Sequence, residues 1–389
     1  MRPSVQSLAW TVSDTKPMKI AVFGHKRIPS REGGVEIVAE ELSVRMAQLG
    51  HRVTCYNRAG HHVGGARYDE QQRKNYKGVR LKTVWTLDQK GLAAVTSSIS
   101  AAVCASLSRA EVVHIHAEGP AFMSWLPRLF GKRVIVTVHG LDWGREKWKH
   151  GFGAKYIMLG EKMAVRYAHE IIVLSKNVQE YFLQTYGRKT VWIPNGVTKP
   201  EPVGEDHLDS LGLKKEEYIL FLGRLVPEKG IHYLIEAYKN IKTHKKLVIA
   251  GGSSDTDDYV RSLHRLAQDD ERIVFTGFVQ GQLLRQLYGN AYIYVLPSDL
   301  EGMPLSLLEA MSFGRCCLVS DIAECAEVVE EHGVLFRRGD VKDLAQKLQR
   351  LCDDHSLVRS YKDDACAYIC RKYSWQDVTA QTLALYGQK

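Results

Sequence analysis

The chain lacks any apolar segment that could cross a membrane, since no run reaches the roughly 18–20 residues that a transmembrane helix needs. The nearest candidate, residues 91–107, is rich in serine and alanine, and we interpret it as a buried helix. Residues 1–17 lack the apolar centre of a secretory signal peptide. We expect them to be a disordered extension, with the folded chain beginning at Met18.

The eight cysteines follow no regular spacing, so the sequence does not predict a disulfide framework. Paired ligands at the close, repeated spacing of a zinc site are missing as well. We therefore expect unpaired thiols in a reducing cytosol.

Two common motifs of α/β enzymes are also missing. The glycines near the first strand do not have the G-x-G-x-x-G spacing of a dinucleotide-binding turn. Ser175 follows a predicted strand, but without the G-x-S-x-G pattern of a serine hydrolase. Neither a dinucleotide-dependent oxidoreductase nor a serine hydrolase is supported.

Charge is distributed unevenly between the two halves of the chain. Residues 1–200 contain 30 lysines and arginines against 15 acids, a net charge of +15, while the remainder has 23 against 29, a net charge of −6. The basic half predicts an anionic partner, such as a nucleic acid, a phospholipid surface or an acidic acceptor. The alternative is a basic surface that only meets solvent.

Apolar β-branched runs alternate with longer amphipathic stretches, which is the βαβ pattern of a parallel sheet covered on both faces. The pattern pauses at the polar residues 198–208 and then resumes, which predicts two tandem doubly wound α/β domains facing across a cleft. We place their boundaries at residues 18–200 and 201–372, and expect a last helix within 373–389 to pack back on the first domain. The predicted strands are Lys19–Phe23, Arg52–Tyr56, Val112–His116, Arg133–Val138, Glu170–Leu174, Thr190–Ile193, Tyr218–Leu222, Lys246–Ala250, Arg272–Thr276, Ala291–Leu296 and Arg315–Ser320.

Two carboxylates lie eight positions apart, at Glu301 and Glu309. Pro304 suits the first position of a helix, so Glu301 should lie in the preceding loop and Glu309 inside the helix. The amides and positive dipole of the helix start favour a phosphate group.

Arg224 and Lys229 follow another predicted strand and present two cations at the entrance to the next helix. A guanidinium can hold phosphate oxygens bidentately, and a lysine adds a flexible charge. Combined with two carboxylates that can accept hydrogen bonds from sugar hydroxyls, they predict a nucleotide-sugar site. The alternative for the cations is an ion pair with Glu228 or another acid.

Glycine and histidine mark the equivalent edge of the first domain. Gly33 and Gly34 open its first long helix and allow a ligand close to the backbone, although glycines at such turns are common. His139 ends a strand, where a structural histidine is the alternative to a catalytic one. His114 and His116 should point to one face of their strand, without the third ligand that a metal site requires.

In this order and spacing, the motifs resemble those of the retaining glycosyltransferases of family 4, which have the GT-B fold. The resemblance begins at Met18 and covers nearly the whole chain. It is carried by Gly-Gly-Val-Glu 33–36, Val-His-Gly 138–140, Ile-Pro-Asn-Gly-Val 193–197, Leu-Gly-Arg-Leu 222–225, Glu-Lys-Gly 228–230, Thr-Gly-Phe-Val 276–279 and Glu301 to Glu309.

The resemblance implies a role for each matching position. Arg224 and Lys229 would bind the donor diphosphate and stabilise its growing charge, Glu301 would hold a sugar hydroxyl, and His139 would contact the donor sugar. These four would form the catalytic set. Among the other donor-binding positions, Gly33 and Gly34 would approach the phosphate or acceptor, the Gly277–Val279 stretch with Phe278 and Val279 would border the base, and Glu309 would bind the ribose. The remaining donor-binding positions would be Gly223 and, at the helix start, Gly302, Met303, Pro304 and Leu305.

We therefore expect an enzyme that transfers sugar from a nucleoside-diphosphate donor, with UDP favoured, and retains the anomeric configuration. The family usually needs no metal, and we expect no cofactor. A lipid-linked or acidic glycan acceptor in polysaccharide or lipopolysaccharide synthesis would suit the basic half, in the cytoplasm at the inner face of the membrane. Residues 73–90 with Trp85, and 145–155 with Trp148, are the candidate membrane-surface segments.

One segment departs from the family pattern. After Val319-Ser320-Asp321 the family often has Gly-Gly and Pro-Glu, whereas this chain has Ile-Ala-Glu-Cys-Ala-Glu. The alternatives are a synthase-type or phosphorylase-type relative, a nucleic-acid-binding protein and an inactive donor-binding scaffold. No nucleic-acid reader motif is present, and we expect no nucleic-acid partner.

Overall fold

The structure is a computed structural model that describes residues 16–60, 73–89, 91–141, 143, 152–252 and 256–388. It contains two α/β units, each with a parallel sheet between helices, as the sequence predicts. The predicted extension lies almost entirely outside the described residues.

The first sheet has eight strands, which are β1 Lys19–Phe23, β2 Arg52–Arg58, β3 Asn75–Tyr76, β4 Val79–Val84, β5 Val112–His116, β6 Arg133–Val138, β7 Glu170–Val173 and β8 Val191–Trp192. Their order in the sheet is β3-β4-β2-β1-β5-β6-β7-β8. Only the pair β3–β4 among these is antiparallel.

The second sheet is fully parallel, with six strands in the order β11-β10-β9-β12-β13-β14. These are β9 Tyr218–Leu222, β10 Lys246–Ala250, β11 Ile273–Gly277, β12 Ile293–Leu296, β13 Cys316–Ser320 and β14 Val334–Phe336.

Helices connect the strands of both sheets. Those of the first part are α1 Gly34–Gln48, α2 Leu92–Leu107, α3 Glu118–Ala121, α4 Trp125–Leu129, α5 Phe152–Tyr167 and α6 Lys176–Tyr186. Those of the second part are α7 Ile231–Lys239, α8 Asp257–Ala267, α9 Gly281–Asn290, α10 Leu305–Ser312, α11 Ala323–Val329, α12 Val341–Asp353, α13 His355–Lys372 and α14 Trp375–Gly387.

Strand β1 illustrates how the sequence produces a sheet covered on both faces. Successive side chains point to opposite faces of a strand, so Ile20 and Val22 pack on one side and Ala21 and Phe23 on the other. All four are buried, in two separate apolar clusters. A strand without an exposed face reads as a continuous apolar run, which is why it could be predicted from sequence.

Strands β3, β4 and β14 were not predicted. Polar residues interrupt the apolar pattern of β4, where exposed Arg80 follows buried Val79 and exposed Lys82 follows buried Leu81. Strands β3 and β14 are only two and three residues long, too short to give a pattern. The prediction that residues 91–107 form a buried helix is half wrong. They form α2, but one side of that helix is exposed.

Both sheets reverse their strand order near the centre. The chain leaves β1 toward β2 and later returns to β5 on its other side, and β9 is likewise flanked by β10 and β12. In open α/β sheets, ligands bind beyond the carboxyl ends of strands at such points. The fold therefore places the loops after β1, β5, β9 and β12 where a ligand site is expected.

The chain passes between the two parts at two places that lie side by side. Val197 pairs with Ser374 in an isolated bridge, and the Val197 amide donates to the Tyr373 carbonyl at 2.7 Å. Beside them, Gly196 packs against the Trp375 side chain. We call this pair of crossings, residues 196–198 and 373–375, the strap.

Helix α14 packs on α1 of the first part. Its Tyr386 hydroxyl lies 2.6 Å from His114 Nδ1 in β5, and its Leu385 carbonyl accepts from Arg133 Nε at 2.7 Å. The last helix therefore contributes hydrogen bonds to the first sheet.

We predict that Tyr386→Phe lowers the free energy of unfolding by about 1–3 kcal/mol, because it leaves the buried His114 nitrogen without its hydroxyl partner. Chemical denaturation measures the change. Tyr361→Phe is the matched control, since the Tyr361 side chain is only partly buried. Equal stability of the Tyr386→Phe variant and the wild type would show that this hydrogen bond contributes nothing.

Candidate functional site

A cleft of about 720 Å³ lies between the carboxyl ends of the two sheets. Its lining includes every site residue predicted from the sequence, from both halves of the chain. They are Gly33, Gly34, His139, Gly223, Arg224, Lys229, Phe278, Val279, Glu301, Gly302, Met303, Pro304, Leu305 and Glu309. The structure thus brings the predicted residues together, and their individual roles stay predictions.

At Gly302 the backbones of the two parts of the molecule come into close contact within this cleft. A Cβ atom at Gly302 would lie 1.7 Å from the His139 carbonyl oxygen, and one at Gly140 would lie 3.0 Å from the Gly302 Cα. Only hydrogen side chains fit between these two backbones. The contact fixes the distance between His139 and the Glu301 loop.

Lys229 and Glu301 form the charged centre of the second-domain wall. The Lys229 ammonium lies 2.5 Å from Glu301 Oε1, and both side chains are largely buried. The Ser298 hydroxyl donates to the same carboxylate oxygen at 2.7 Å. The predicted alternative, an ion pair with Glu228 or another acid, is therefore present for Lys229, with Glu301 as the acid.

Glu309 lies inside α10, as predicted, and meets a cation from the opposite wall. Arg31 Nη1 is 3.3 Å from Glu309 Oε1, so the ion pair spans the cleft. Burial raises the pKa of Glu309, and the nearby Arg31 charge opposes that shift. No local pattern predicts this pair, because 278 positions separate the two residues along the chain.

The start of α10 differs in one detail from the prediction. Pro304 is the residue before the first helical position, with extended backbone, and Leu305 begins the helix. The Asn195 side-chain Nδ2 donates to the Met303 carbonyl at 3.1 Å, and the Asn195 backbone amide lies 3.0 Å from the Met303 sulfur. The interdomain segment thus holds the loop that leads into this helix.

The loop between β1 and α1 is held by buried polar groups. Glu36 accepts from the Lys26 amide at 2.9 Å, and the Asn57 side chain exchanges two hydrogen bonds with the Ile28 backbone. Gly33 caps α1 with extended backbone. The loop therefore presents Gly33 and Gly34 to the cleft on a supported backbone.

His139 is linked to a row of buried histidines. Its Nε2 lies 3.0 Å from His116 Nδ1, and the His116 ring stacks on His114 with centroids 4.3 Å apart. The prediction that His114 and His116 share one face is confirmed. Burial lowers the pKa of His114 to about 3 and that of His116 well below its usual value.

Neutral imidazoles of this kind constrain the tautomer of His139. A neutral ring carries one N–H, so in the His116–His139 contact one nitrogen donates and the other accepts. His139 is thereby oriented by His116 and lines the cleft with 8% of its surface exposed. His139 is therefore both a hydrogen-bonded structural residue and a residue of the cleft wall. From the sequence, a structural and a catalytic histidine were two separate alternatives.

Phe278 and Val279 form the far end of the second-domain wall. Phe278 lies against Gly252, where an added Cβ would be 3.4 Å from the Phe278 Cβ. Val279 is buried. Together they give an apolar surface that a planar base can contact.

Other groups of polar residues have structural explanations. Ser175 caps α6 by accepting from the Val178 amide. Over the part of the chain that the structure describes, no group of three histidines, cysteines or acids is arranged to hold a metal ion. All eight cysteines are unpaired, as expected.

Sequence reasoning missed Arg31 and Asn57, and it named Glu36 and Asn195 only as members of the motifs 33–36 and 193–197, without a contact for either. The local signal for Arg31 was an arginine three residues before the first cleft helix, next to the two glycines. Asn57 is a single polar residue whose importance comes from its contacts in the folded chain.

Two protein-family models match the chain. The model "Glycosyltransferase Family 4" matches residues 32–199, and the model "Glycosyl transferases group 1" matches residues 216–354. The first match carries the glycine and histidine wall of the cleft, and the second carries the wall with Arg224, Lys229, Glu301 and Glu309.

Related proteins agree with these models. An uncharacterized glycosyltransferase of Methanocaldococcus jannaschii is 25% identical over 95% of this chain and 98% of its own. The O-antigen chain mannosyltransferase B of Escherichia coli is 30% identical over 50% of this chain and 51% of its own.

Solved structures share the fold over nearly the whole chain. Sucrose-phosphate synthase from Thermosynechococcus elongatus superposes with a TM-score of 0.81 at 20% identity, over 95% of this chain and 98% of the other. Anabaena HepE in complex with UDP-glucose superposes with a TM-score of 0.75 at 19% identity, over 94% of this chain and 99% of the other. At these identities the similarity establishes the architecture alone.

We predict that Gly302→Ala destabilises the protein by about 1–3 kcal/mol, because the new methyl group must push the His139 loop away. Denaturant unfolding measures the loss. Gly387→Ala is the matched control, since a Cβ there meets no atom within 4 Å. A variant at 302 as stable as the control would contradict the close contact.

The buried histidines also predict a loss of stability in acid. The His114 ring is protonated in the unfolded chain below its ordinary pKa of 6.5, but stays neutral in the fold down to its pKa of about 3. Its stabilising effect is therefore complete above 6.5 and is lost as pH falls toward 3. At about pH 5 this residue alone should lower the free energy of unfolding by about 2 kcal/mol.

Urea titrations at about pH 7.5 and about pH 5 measure this dependence. His114→Gln should weaken it, whereas replacing the exposed His264 with glutamine should leave it unchanged. An unaltered pH dependence in His114→Gln would contradict the assignment.

Proposed function

Because this chain is a glycosyltransferase of the family 4, group 1 type with the GT-B fold, we propose that it transfers sugar from a nucleoside-diphosphate donor, with UDP favoured. The acceptor is a lipid-linked or acidic glycan of a cell-surface polysaccharide or lipopolysaccharide. The product retains the anomeric configuration of the donor.

The single observation that carries this proposal is the set of groups around one end of the cleft. Arg224 and Lys229 line it together with the start of α10, whose first amides and helix dipole favour anions. A diphosphate gains charge as the sugar departs, and fixed cations aimed at it lower the barrier. This end of the cleft suits the leaving group.

The residues next to this diphosphate end of the cleft would recognise the sugar. Glu301 is held by Lys229 and Ser298, so one of its oxygens is fixed and the carboxylate can accept a sugar hydroxyl. His139 lies across the cleft at the Gly302 contact, positioned to meet the same sugar from the first domain. Glu309, paired with Arg31, would exchange that partner for the ribose hydroxyls.

The proposed chemistry needs no covalent intermediate on the protein. The bond between the anomeric carbon and the phosphate oxygen breaks, and the acceptor oxygen attaches on the same face. The proton of the acceptor hydroxyl passes to the departing phosphate oxygen. Lys229 and Arg224 neutralise the diphosphate during this step, and we propose that no metal ion is required.

UDP is favoured as the carrier for two reasons. The sequence favours a uridine donor, and the solved structure of HepE, which has a similar fold, is a complex with UDP-glucose. The name of the E. coli relative, a mannosyltransferase, makes GDP the competing carrier. The name of that relative also supports an O-antigen or similar polysaccharide as the setting.

The proposed location is the cytoplasmic face of the membrane, with the basic first half toward the lipid. Among the described helices, none is both long and apolar enough to span a bilayer. Of the two candidate membrane-surface segments, residues 144–151 lie outside the described residues, while Trp85 is 68% exposed.

We predict that UDP or a UDP-sugar raises the melting temperature of the wild type without added metal, since a ligand of the native state stabilises it by mass action. Thermal shift with UDP, GDP, dTDP and their sugar conjugates measures this. Lys229→Ala and Arg224→Ala should lose the shift. Arg261→Ala, an exposed cation on α8, is the matched control.

Turnover then completes the test, measured as release of nucleoside diphosphate with and without EDTA. Metal-independent release supports the proposal, and dependence on Mg²⁺ overturns its metal-free part. Stabilisation by GDP alone would replace the proposed carrier. No shift with any nucleotide, together with salt-sensitive DNA binding, would favour a polyanion-binding protein instead.

A further inference from the structure

Helix α2 has an unusual composition for a helix at the surface of a protein. Its sequence from Leu92 to Leu107 contains no charged residue, although a surface helix normally carries charged residues on its outer face. Leu92, Ile99, Val103 and Leu107 are all exposed, the last of them by 70%. We call these four residues the apolar stripe.

The stripe occupies one side of the helix. At 100° per residue, its four members fall within an arc of about 80°. The helix buries alanine and serine on its inner side, including Ala93, Ala101 and Ala105 against the sheet. The exposed side therefore carries larger and more apolar side chains than the buried side, which is the reverse of an ordinary surface helix.

Neighbouring segments extend the stripe at both ends. At its start, the Leu87 amide donates to the Thr96 hydroxyl at 3.0 Å, which places exposed Trp85 and Leu87 beside it. At its end, Lys132 Nζ reaches the Ser108 carbonyl at 2.9 Å. Leu129, 73% exposed, and Phe130 at the end of α4 thus lie beside the end of α2.

The surroundings of this surface are basic. Arg109, Arg128 and Lys82 are exposed, and Lys82 lies over the Tyr56 ring, whose hydroxyl bonds the Cys104 carbonyl in the last turn of α2. From 85 to 133 the sequence has three acids, of which Glu118 is buried and Asp88 and Glu111 are exposed. An apolar strip bordered by cations matches the acyl chains and headgroups of an anionic bilayer.

The opposite side of α2 belongs to the cleft. Ala94, Ser97, Ser98 and Ala101 line its first-domain end, and they lie roughly 180° around the helix from the stripe. Arg27 and Arg58 line the same end. One helix thus separates the acceptor end of the cleft from the apolar surface outside.

We propose that the apolar stripe, with Trp85, Leu87, Leu129 and Phe130, docks on an anionic phospholipid bilayer. The bound enzyme then holds the first-domain end of its cleft beside the membrane surface, where the headgroup of a lipid-linked acceptor can enter it. Both steps rest on the proposed function: the docking names the surface for the membrane location proposed above, and the second step uses the proposed lipid-linked acceptor.

Vesicle flotation tests the docking with phosphatidylcholine vesicles that contain or lack phosphatidylglycerol. The wild type should float with the anionic vesicles and much less with the zwitterionic ones. The double variant Val103→Glu/Leu107→Glu should bind about tenfold or more weakly, because it removes buried apolar area and adds negative charge. Leu183→Glu, at an exposed leucine of α6, is the matched control and should float like the wild type.

A charge variant tests the basic border separately. Arg109→Glu/Arg128→Glu should reduce flotation with anionic vesicles, and Arg261→Glu on α8 should not. Equal flotation of the stripe variant and the wild type, or no flotation of the wild type, overturns the proposal. The proposal is also overturned if the wild type is a dimer and the stripe variant is a monomer, because the surface would then join two copies of this chain.

Activity distinguishes this inference from the proposed function. The stripe variant should bind nucleotide and release nucleoside diphosphate in solution like the wild type, since none of its changed residues faces the donor end. Transfer to a polyprenyl-phosphate-linked acceptor in anionic vesicles should fall in step with its flotation. If the variant transfers sugar to the vesicle-bound acceptor as well as the wild type does, docking is not needed for transfer and the second step is overturned. If the wild type fails to bind any nucleotide, that result counts against the proposed function alone.

Discussion

A side chain at position 302 would occupy the same space as the carbonyl oxygen of His139, so the two backbones can come this close only because residue 302 is a glycine. This contact sets the position of Glu301 and Met303 on one side and of His139 on the other. The ion pair of Lys229 with Glu301 and the bond from Asn195 to Met303 then extend outward from it. The Lys229–Glu301 side of the cleft is thus positioned around this backbone contact, while Arg31 and Glu309 join the two walls separately.

The interior of the fold could be predicted from the sequence because buried strands leave a direct trace in it. Strands β1, β5, β6, β9 and β10 were predicted with the bounds that the structure has, since both of their faces are apolar. Strand β4 alternates buried and exposed residues, so Arg80 and Lys82 interrupt its apolar pattern, and β14 has only three residues. Helix α2 misled in the other direction, because its lack of charge is typical of a buried helix.

The site was predictable where one residue type at one position implies one kind of chemistry, as with the cations after β9 and the acids around α10. Contacts across the cleft were not predictable. Arg31 meets Glu309 although 278 positions separate them, and no local pattern encodes such a distance. His116 likewise orients His139 only because adjacent parallel strands bring their ends together. These relations depend on topology and on side-chain packing, which a pattern of residues does not contain.

The strap gives the molecule a particular mechanical character. Because Val197 and Ser374 are paired and the Val197 amide bonds Tyr373, the two covalent connections between the sheets act as one short ribbon rather than two independent tethers. Any change in the angle between the two sheets would therefore have to bend both crossings together, at residues 196–198 and 373–375, because neither crossing can move without the other.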